Sequence, residues 1–223
     1  LGVPLDEFLG LDQMEEEARA GLEKGVSESL NWFPFDMLPT VHWKEDGKNV
    51  SPSIIKWWIC RYCKLNDPEP GALIMRYCSL LDQNDREALG LFILNEWIKQ
   101  DTIPSYTREE AEELAKKQVP SWTQAYPNRS QQSIFTMCLN TYLDTCKGSS
   151  IKEKGILAVA SACGGKTLVP ITQHYIKRWY GLRAPQCKAL IKMLSWIEEK
   201  SAVQLLLTIA SRFRTKGIQD EAE

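Results

Sequence analysis

The residues closest to a catalytic loop are Gly164-Gly165-Lys166-Thr167. A phosphate-binding P-loop has the pattern G-x-x-x-x-G-K-[ST], in which the first glycine permits a chain reversal and backbone N–H groups surround the phosphates. Here the position of that first glycine is occupied by Ala160, and the preceding residues have a helical rather than a strand pattern. We therefore interpret Gly164 as a helix C-cap in left-handed geometry and predict no nucleotide site.

The pair Cys60 and Cys63 forms a C-x-x-C, which is half of a tetrahedral zinc site. No second C-x-x-C or H-x-x-x-H follows in the sequence. The chain has seven cysteines, an odd number, and most of them stand among apolar residues at helical spacing. We predict buried thiols in a reducing, cytoplasmic compartment, with no metal and no cofactor.

Histidines and carboxylates provide little for catalysis. The chain has two histidines, His42 and His174, and we expect His174 on the polar side of its helix. The acidic residues occur in runs such as Glu109-Glu110, whereas a general acid–base pair needs one carboxyl group in a desolvated pocket. We assign no catalytic residue.

Charge is distributed unevenly along the chain. Residues 1–146 contain 14 Lys/Arg and 23 Asp/Glu, whereas residues 147–223 contain 13 and 6. On the C-terminal helices, stacking would align basic residues into a stripe that attracts phosphates or an acidic protein. The alternative is that these side chains only keep the helices solvated and pair with the acidic half. The candidate binding surface consists of Lys177, Arg178, Arg183, Lys188, Lys192, Arg212, Arg214 and Lys216.

The elements that position these residues are helices. Apolar residues recur every 3 to 4 positions, and helix starts recur about every 17 residues. Helix pairs of this period are typical of a HEAT/armadillo-like α-solenoid, so we predict an all-α fold of antiparallel helix pairs with an irregular N-terminal arm. An irregular helical bundle is the alternative. The apolar runs are too short to span a bilayer, and no membrane partner is expected. The predicted repeat helices cover about residues 51–65, 70–81, 86–99, 151–163, 169–180, 185–197 and 202–213.

We divide the chain into an N-terminal helix and arm (1–50) and a helical-repeat domain (51–223). The repeat domain has a first block (51–101), an acidic, less regular middle (102–150) and a basic second block (151–223). In the middle we predict helices at 108–119 and 130–146, with loops at 101–106 and 120–127. Both termini read as cut from a larger protein.

Four segments carry a resemblance to a known family. They are Lys154-Gly155-Ile156-Leu157-Ala158 with Cys163-Gly164-Gly165, Trp179-Tyr180-Gly181 with Arg183-Ala184, Gln186-Cys187-Lys188-Ala189-Leu190, and Arg212-Phe213-Arg214-Thr215-Lys216-Gly217-Ile218-Gln219. With them, residues 151–223 resemble a bacterial family of large proteins related to the molybdate metabolism regulator; residues 57–101 do so more weakly. The resemblance implies HEAT-like repeats in a bacterial cytoplasm and a regulatory role. It supplies no catalytic residues.

Two functions from different classes follow. The first is a non-enzymatic scaffold or interaction module that binds a protein partner or another domain of the same chain. The second is nucleic-acid binding through the basic residues. An active site elsewhere in a larger protein is a third possibility.

Overall fold

A computed structural model describes residues 10–213 and 216–222. Within these residues the chain forms eleven α-helices and three short 3-10 helices, with isolated β-bridges but no strand. The all-α prediction is therefore confirmed. None of the helices in this described part is both long and apolar enough to cross a membrane. The α-helices are α1 Leu11–Glu23, α2 Pro52–Tyr62, α3 Ala72–Ser79, α4 Gln83–Asp101, α5 Arg108–Ala125, α6 Gln131–Leu143, α7 Leu157–Cys163, α8 Leu168–Trp179, α9 Ala184–Leu194, α10 Lys200–Arg212 and α11 Lys216–Gln219.

The chain contacts divide the molecule into two compact units. The first unit joins the residues up to Ile98 with those from Ser150 onward, and the second is Lys99–Ser149. The chain leaves the first unit after Ile98 and re-enters it at Ser150. These two places in the first unit are close together, since the Ser150 hydroxyl donates a hydrogen bond to the Trp97 carbonyl oxygen at 2.8 Å.

Helix α7 lies at the centre of the first unit. Its sequence, LAVASAC, contains no charged residue, and every one of its side chains is buried. It contacts α2, α3 and α9, because a helix that is apolar on all sides has to be covered on all sides. The preceding residues, Ile151–Ile156, form a 3-10 helix rather than the predicted start of an α-helix. There Gly155 packs directly on the carbonyl oxygens of Tyr62 and Leu65, which leaves no room for a side chain.

The N-terminal part of the first unit consists of α1, packed on α2, and an irregular segment. That segment contains the 3-10 helices Glu28–Leu30 and Phe35–Met37. A short extended piece follows, in which His42 bridges Asn49 and Trp43 bridges Leu81. Gly47, with a positive φ of 66°, lies in the turn between His42 and Asn49.

The second unit is built around an antiparallel pair, α5 and α6, with Ala115, Ile134 and Cys138 at its centre. Thr107 and Glu110 form a capping box at the start of α5. The prediction of a loop at residues 120–127 is wrong, because α5 continues through Pro120 to Ala125. A proline in a helix interior costs roughly 3 kcal/mol, and we attribute its tolerance here to the packing of α5 along α6. Helix α6 ends at Leu143, three residues earlier than predicted.

Gly164 is the C-cap of α7, as predicted, but its geometry is not left-handed. Its φ and ψ are −67° and 154°, which is extended backbone open to any residue. Glycine is favoured there because space is short, since an added Cβ would lie 2.7 Å from Cδ1 of Leu168 and 3.1 Å from the carbonyl oxygen of Ala160.

Candidate binding surface

The C-terminal helices of the first unit bring several basic residues to one end. The rings of Tyr180, after α8, and Phe213, after α10, pack edge to face with centroids 5.2 Å apart. This contact places the end of α8 beside the end of α10. Five basic residues flank these two rings in sequence, and we call them the basic end: Lys177, Arg178, Arg183, Arg212 and Lys216.

Lys177, Arg178, Arg212 and Lys216 are exposed, and Arg183 is half-buried. The Arg178 guanidinium lies 5.3 Å from the centroid of the Trp179 ring, a cation–π arrangement that holds the charge near the helix end. Arg183 precedes α9, where its carbonyl oxygen accepts a hydrogen bond from the Cys187 N–H at 3.0 Å. Arg214 lies outside the described residues.

Lys188 and Lys192, the other two predicted surface residues, are ion-paired. The Lys188 Nζ is 3.3 Å from Glu221 Oε2, and the Lys192 Nζ is 2.9 Å from Glu69 Oε1 and 3.2 Å from Asp67 Oδ1. The hydrogen bond to Glu69 is the main cause that raises the pKa of Lys192 above its ordinary value. These residues border a cavity of about 230 Å³ that contains charges of both signs. The pairs of Lys192 with Glu69 and Asp67 are of the kind that the alternative interpretation expected, although the periodicity of the sequence did not identify these particular carboxylates.

Helix α10 carries a second surface feature. Its side chains Ala202, Leu205 and Ile209 are buried, whereas Val203 and Leu207 are 54% and 64% exposed. Val203 and Leu207 are one helical turn apart and share a face with Gln204 and Ser211, which are also exposed. We call these four residues the α10 outer face.

Cations and further apolar side chains lie close to this face in sequence. Lys200 is the first residue of α10 and Arg212 the last. Leu182, in the loop before α9, is 64% exposed, and Trp196, four residues before α10, is 41% exposed. Scattered exposed apolar residues are ordinary, but Val203 and Leu207 lie on adjacent turns of one helix face.

A cavity of about 460 Å³ lies between the end of α1 and α2. The charged side chains among its lining residues are cationic: Lys24, Arg61 and Lys64. The Arg61 guanidinium lies 5.2 Å from the centroid of the Trp57 ring, and Trp57 packs so closely on Gly21 that a Cβ there would come within 2.8 Å of the indole. Cavities of this kind favour anions. Lys24 is 37 positions from Arg61 in the sequence, so the cavity was not predicted.

The motifs that resembled catalytic or metal sites are occupied by structural contacts. A Cβ on Gly165 would lie 2.5 Å from the Glu87 carboxyl carbon, so a carboxylate packs directly on this glycine and would repel a phosphate. The Cys63 thiol donates to the Cys60 carbonyl oxygen at 3.1 Å. His174 is exposed, as predicted. Among the described residues, no group of three His, Cys, Asp or Glu side chains is placed to hold a metal ion.

Comparisons with protein-family models, with curated proteins and with solved structures found no match for this chain.

Proposed function

We propose that this chain is a non-enzymatic, HEAT-like helical-repeat module that binds an amphipathic helix on the α10 outer face. That helix belongs to a protein partner or to another part of the same chain. The proposal includes membership of the bacterial family related to the molybdate metabolism regulator, on the sequence resemblance alone.

The observation that carries the proposal is the exposure of Val203 and Leu207 on adjacent turns of α10. Covering about 100 Å² of apolar side chain contributes roughly 2.5 kcal/mol, so two large aliphatic side chains are a substantial part of a helix-docking site. In a helical-repeat array each helix pair buries its apolar faces against its neighbours, so an apolar face left exposed on one helix is a place where another helix can pack. The pairing of α8, α9 and α10 side by side supports this arrangement.

The charge around this face indicates the chemistry of the bound helix. Arg212 is the last residue of α10, and the contact of Tyr180 with Phe213 brings the end of α8 towards the same end. At the other end, Lys200 follows the acidic residues Glu198 and Glu199. An apolar stripe with a cation at its C-terminal end is complementary to a helix with apolar residues at i, i+3, i+4 and i+7 and with acidic residues beside that end. Charge complementarity of this kind accelerates association and selects among partners.

The test uses the full-length protein with an affinity tag and the double change Val203→Glu and Leu207→Glu. Both positions are exposed, so the fold should be retained. The matched control adds the same two charges on α5, with Gln118→Glu and Gln124→Glu. Quantitative mass spectrometry should show about a tenfold loss of a co-purifying protein with the double change and not with the control; an identical set of proteins in both would contradict binding to a separate partner.

The second candidate function is nucleic-acid binding, and the clustering of cations at the basic end favours it. Such binding weakens steeply with salt, because each phosphate contact releases a counterion. It predicts a complex in an electrophoretic shift at low salt that is lost with Lys177→Glu, Arg178→Glu and Arg212→Glu. The control, Lys116→Glu with Lys117→Glu and Arg129→Glu, makes the same charge change on the second unit and should leave the shift intact. Absence of any complex at low salt excludes this function.

A further inference from the structure

Cys78 and Cys163 are 85 positions apart in sequence, yet their sulfur atoms lie 3.3 Å apart. Cys78 is in the last turn of α3, and Cys163 is the last residue of α7. Both are free thiols with no exposed surface. We propose that this pair is a redox modification site, at which a hydroperoxide converts the two thiols into a reversible disulfide.

The packing around the pair restricts its geometry. The distance of 3.3 Å is that of a thiol–thiol hydrogen bond, and a disulfide of about 2.05 Å requires the sulfurs to approach by roughly 1.3 Å. Helix α4 supports Cys163 from one side at Gly90, where an added Cβ would lie 3.1 Å from the Cys163 Cβ. Small rotations of two side chains on already packed helices can therefore close the bond.

A positive charge lies beside the pair. Arg86, in the first turns of α4, is close enough to Cys78 to lower the pKa of its thiol, and its Nε is buried without a hydrogen-bond partner. Burial, and next the hydrogen bond with Cys163, have the larger and opposite effect, so the pKa of Cys78 is raised overall. Cys78 is therefore protonated at rest, and oxidation proceeds when the short helix α3 opens locally.

The reaction balances in two steps. On opening, the Cys78 thiolate attacks one peroxide oxygen, breaks the O–O bond and becomes a sulfenic acid, while hydroxide leaves and takes a proton. The Cys163 sulfur then attacks the sulfenic sulfur, the S–S bond forms, and water leaves with the remaining proton. Two thiols are oxidised by two electrons, and one hydrogen peroxide is reduced to two waters.

The disulfide would join the two sequence segments of the first unit. The closed loop runs from Cys78 to Cys163 and includes the whole of Lys99–Ser149. A cross-link that closes so long a loop restricts the unfolded chain strongly and raises the thermal midpoint of the first unit. The C-x-x-C pair, Cys60 and Cys63, lies within a single stretch of four residues, and a disulfide there would have no such effect.

The experiment treats the full chain with hydrogen peroxide under native conditions, blocks the remaining thiols and maps the peptides by mass spectrometry without reduction. We expect a linked peptide containing Cys78 and Cys163, its loss on adding dithiothreitol, and a higher thermal midpoint for the oxidised form. Cys78→Ala and Cys163→Ala should each abolish both effects. The matched control, Cys138→Ala, removes a buried thiol of the second unit and should preserve them.

If the alanine variants fold poorly, the peptide map of the oxidised wild-type chain tests the proposal by itself. A linked peptide that forms while the far-ultraviolet circular dichroism stays native supports the proposal. Oxidation confined to the half-buried Cys60 and Cys146, or a Cys78–Cys163 link that appears only in urea, overturns it.

Discussion

The Asp85 Oδ2 atom lies 2.6 Å from the ring Nδ1 of His42 and accepts a hydrogen bond from the His42 backbone N–H at 3.0 Å. Asp85 is in the first turn of α4, and the Asp82 side chain caps the same turn by accepting from the Asn84 N–H. A carboxylate at a helix N-terminus is favoured by the helix dipole. One side chain thus connects the longest helix of the described residues to the extended segment of the N-terminal arm.

We predict that Asp85→Ala lowers the free energy of unfolding by about 1–3 kcal/mol, because a charged acceptor with two hydrogen bonds is lost. Urea denaturation measures this loss. A double-mutant cycle with His42→Ala should show that the two effects are not additive. The control Asp36→Ala, at an exposed site, should change stability by no more than about 0.5 kcal/mol; a loss at Asp85 as small as this would mean that the contact does not hold the arm.

Gly90 is required for the approach of α4 to α7. Although alanine in a helix interior is ordinarily preferred over glycine by about 1 kcal/mol, a Cβ at position 90 would lie 3.0 Å from the Ala160 carbonyl oxygen. We expect Gly90→Ala to lower stability by about 1–3 kcal/mol. Gly181→Ala is the control, since its Cβ would meet nothing within 4 Å, and it should be neutral or slightly stabilising in the same melt.

Pro120 lies inside α5 without disrupting it. Replacing it with alanine restores a backbone N–H donor and removes a steric conflict with the preceding turn, so Pro120→Ala should stabilise the second unit by about 1–3 kcal/mol. Pro185, at the start of α9, is at a position that suits proline, and Pro185→Ala should give no comparable gain. Hydrogen exchange of the α5 amides measures the effect of Pro120→Ala within the helix itself. Protection that falls in Pro120→Ala would contradict the assignment of one continuous helix.

Burial raises the pKa of Glu153 above its ordinary value of 4.5, and the opposing effects of its own N–H, Lys152 and Ser29 are smaller. The folded chain therefore holds this proton more tightly than the unfolded chain does. Below pH 4.5 the contribution of Glu153 to the free energy of unfolding is fully present. This contribution is lost as the pH rises from 4.5 through the raised pKa of the folded chain. Glu153→Gln should raise the thermal midpoint at pH 7 and leave it almost unchanged at pH 4. The control Glu16→Gln, at an exposed site, should leave the thermal midpoint unchanged at both pH values. An equal shift at both pH values in Glu153→Gln would exclude desolvation as the cause.

Helical periodicity predicted most helices because it reports which side of each helix faces the core. It placed α8, α9 and α10 within a few residues of their observed bounds. It failed at Pro120, where packing against α6 outweighs a local preference, and at Gly164, where glycine provides space rather than a left-handed turn. Local patterns carry no information on which distant side chains meet.

For the candidate surface too, local positions were predictable and contacts between distant residues were not. The helical positions of the basic residues could be read from their spacing, and most of those described are exposed. The pairing of Lys192 with Glu69 depends on a contact across more than 100 positions, as does the approach of Tyr180 to Phe213 across more than 30. The exposure of Leu207 could not be predicted from the sequence either, because an apolar residue at helical spacing is usually a core residue.

The most direct test of the α10 outer face is photo-cross-linking in cells that express the full-length protein. A photoreactive phenylalanine analogue replaces Leu207 in one strain and the exposed Lys117 of α5 in another. We predict that position 207 gives one dominant cross-link, to an amphipathic helix with acidic flanks in a partner or elsewhere in the same chain, and that position 117 does not. The same weak, diffuse pattern from both positions would contradict the account.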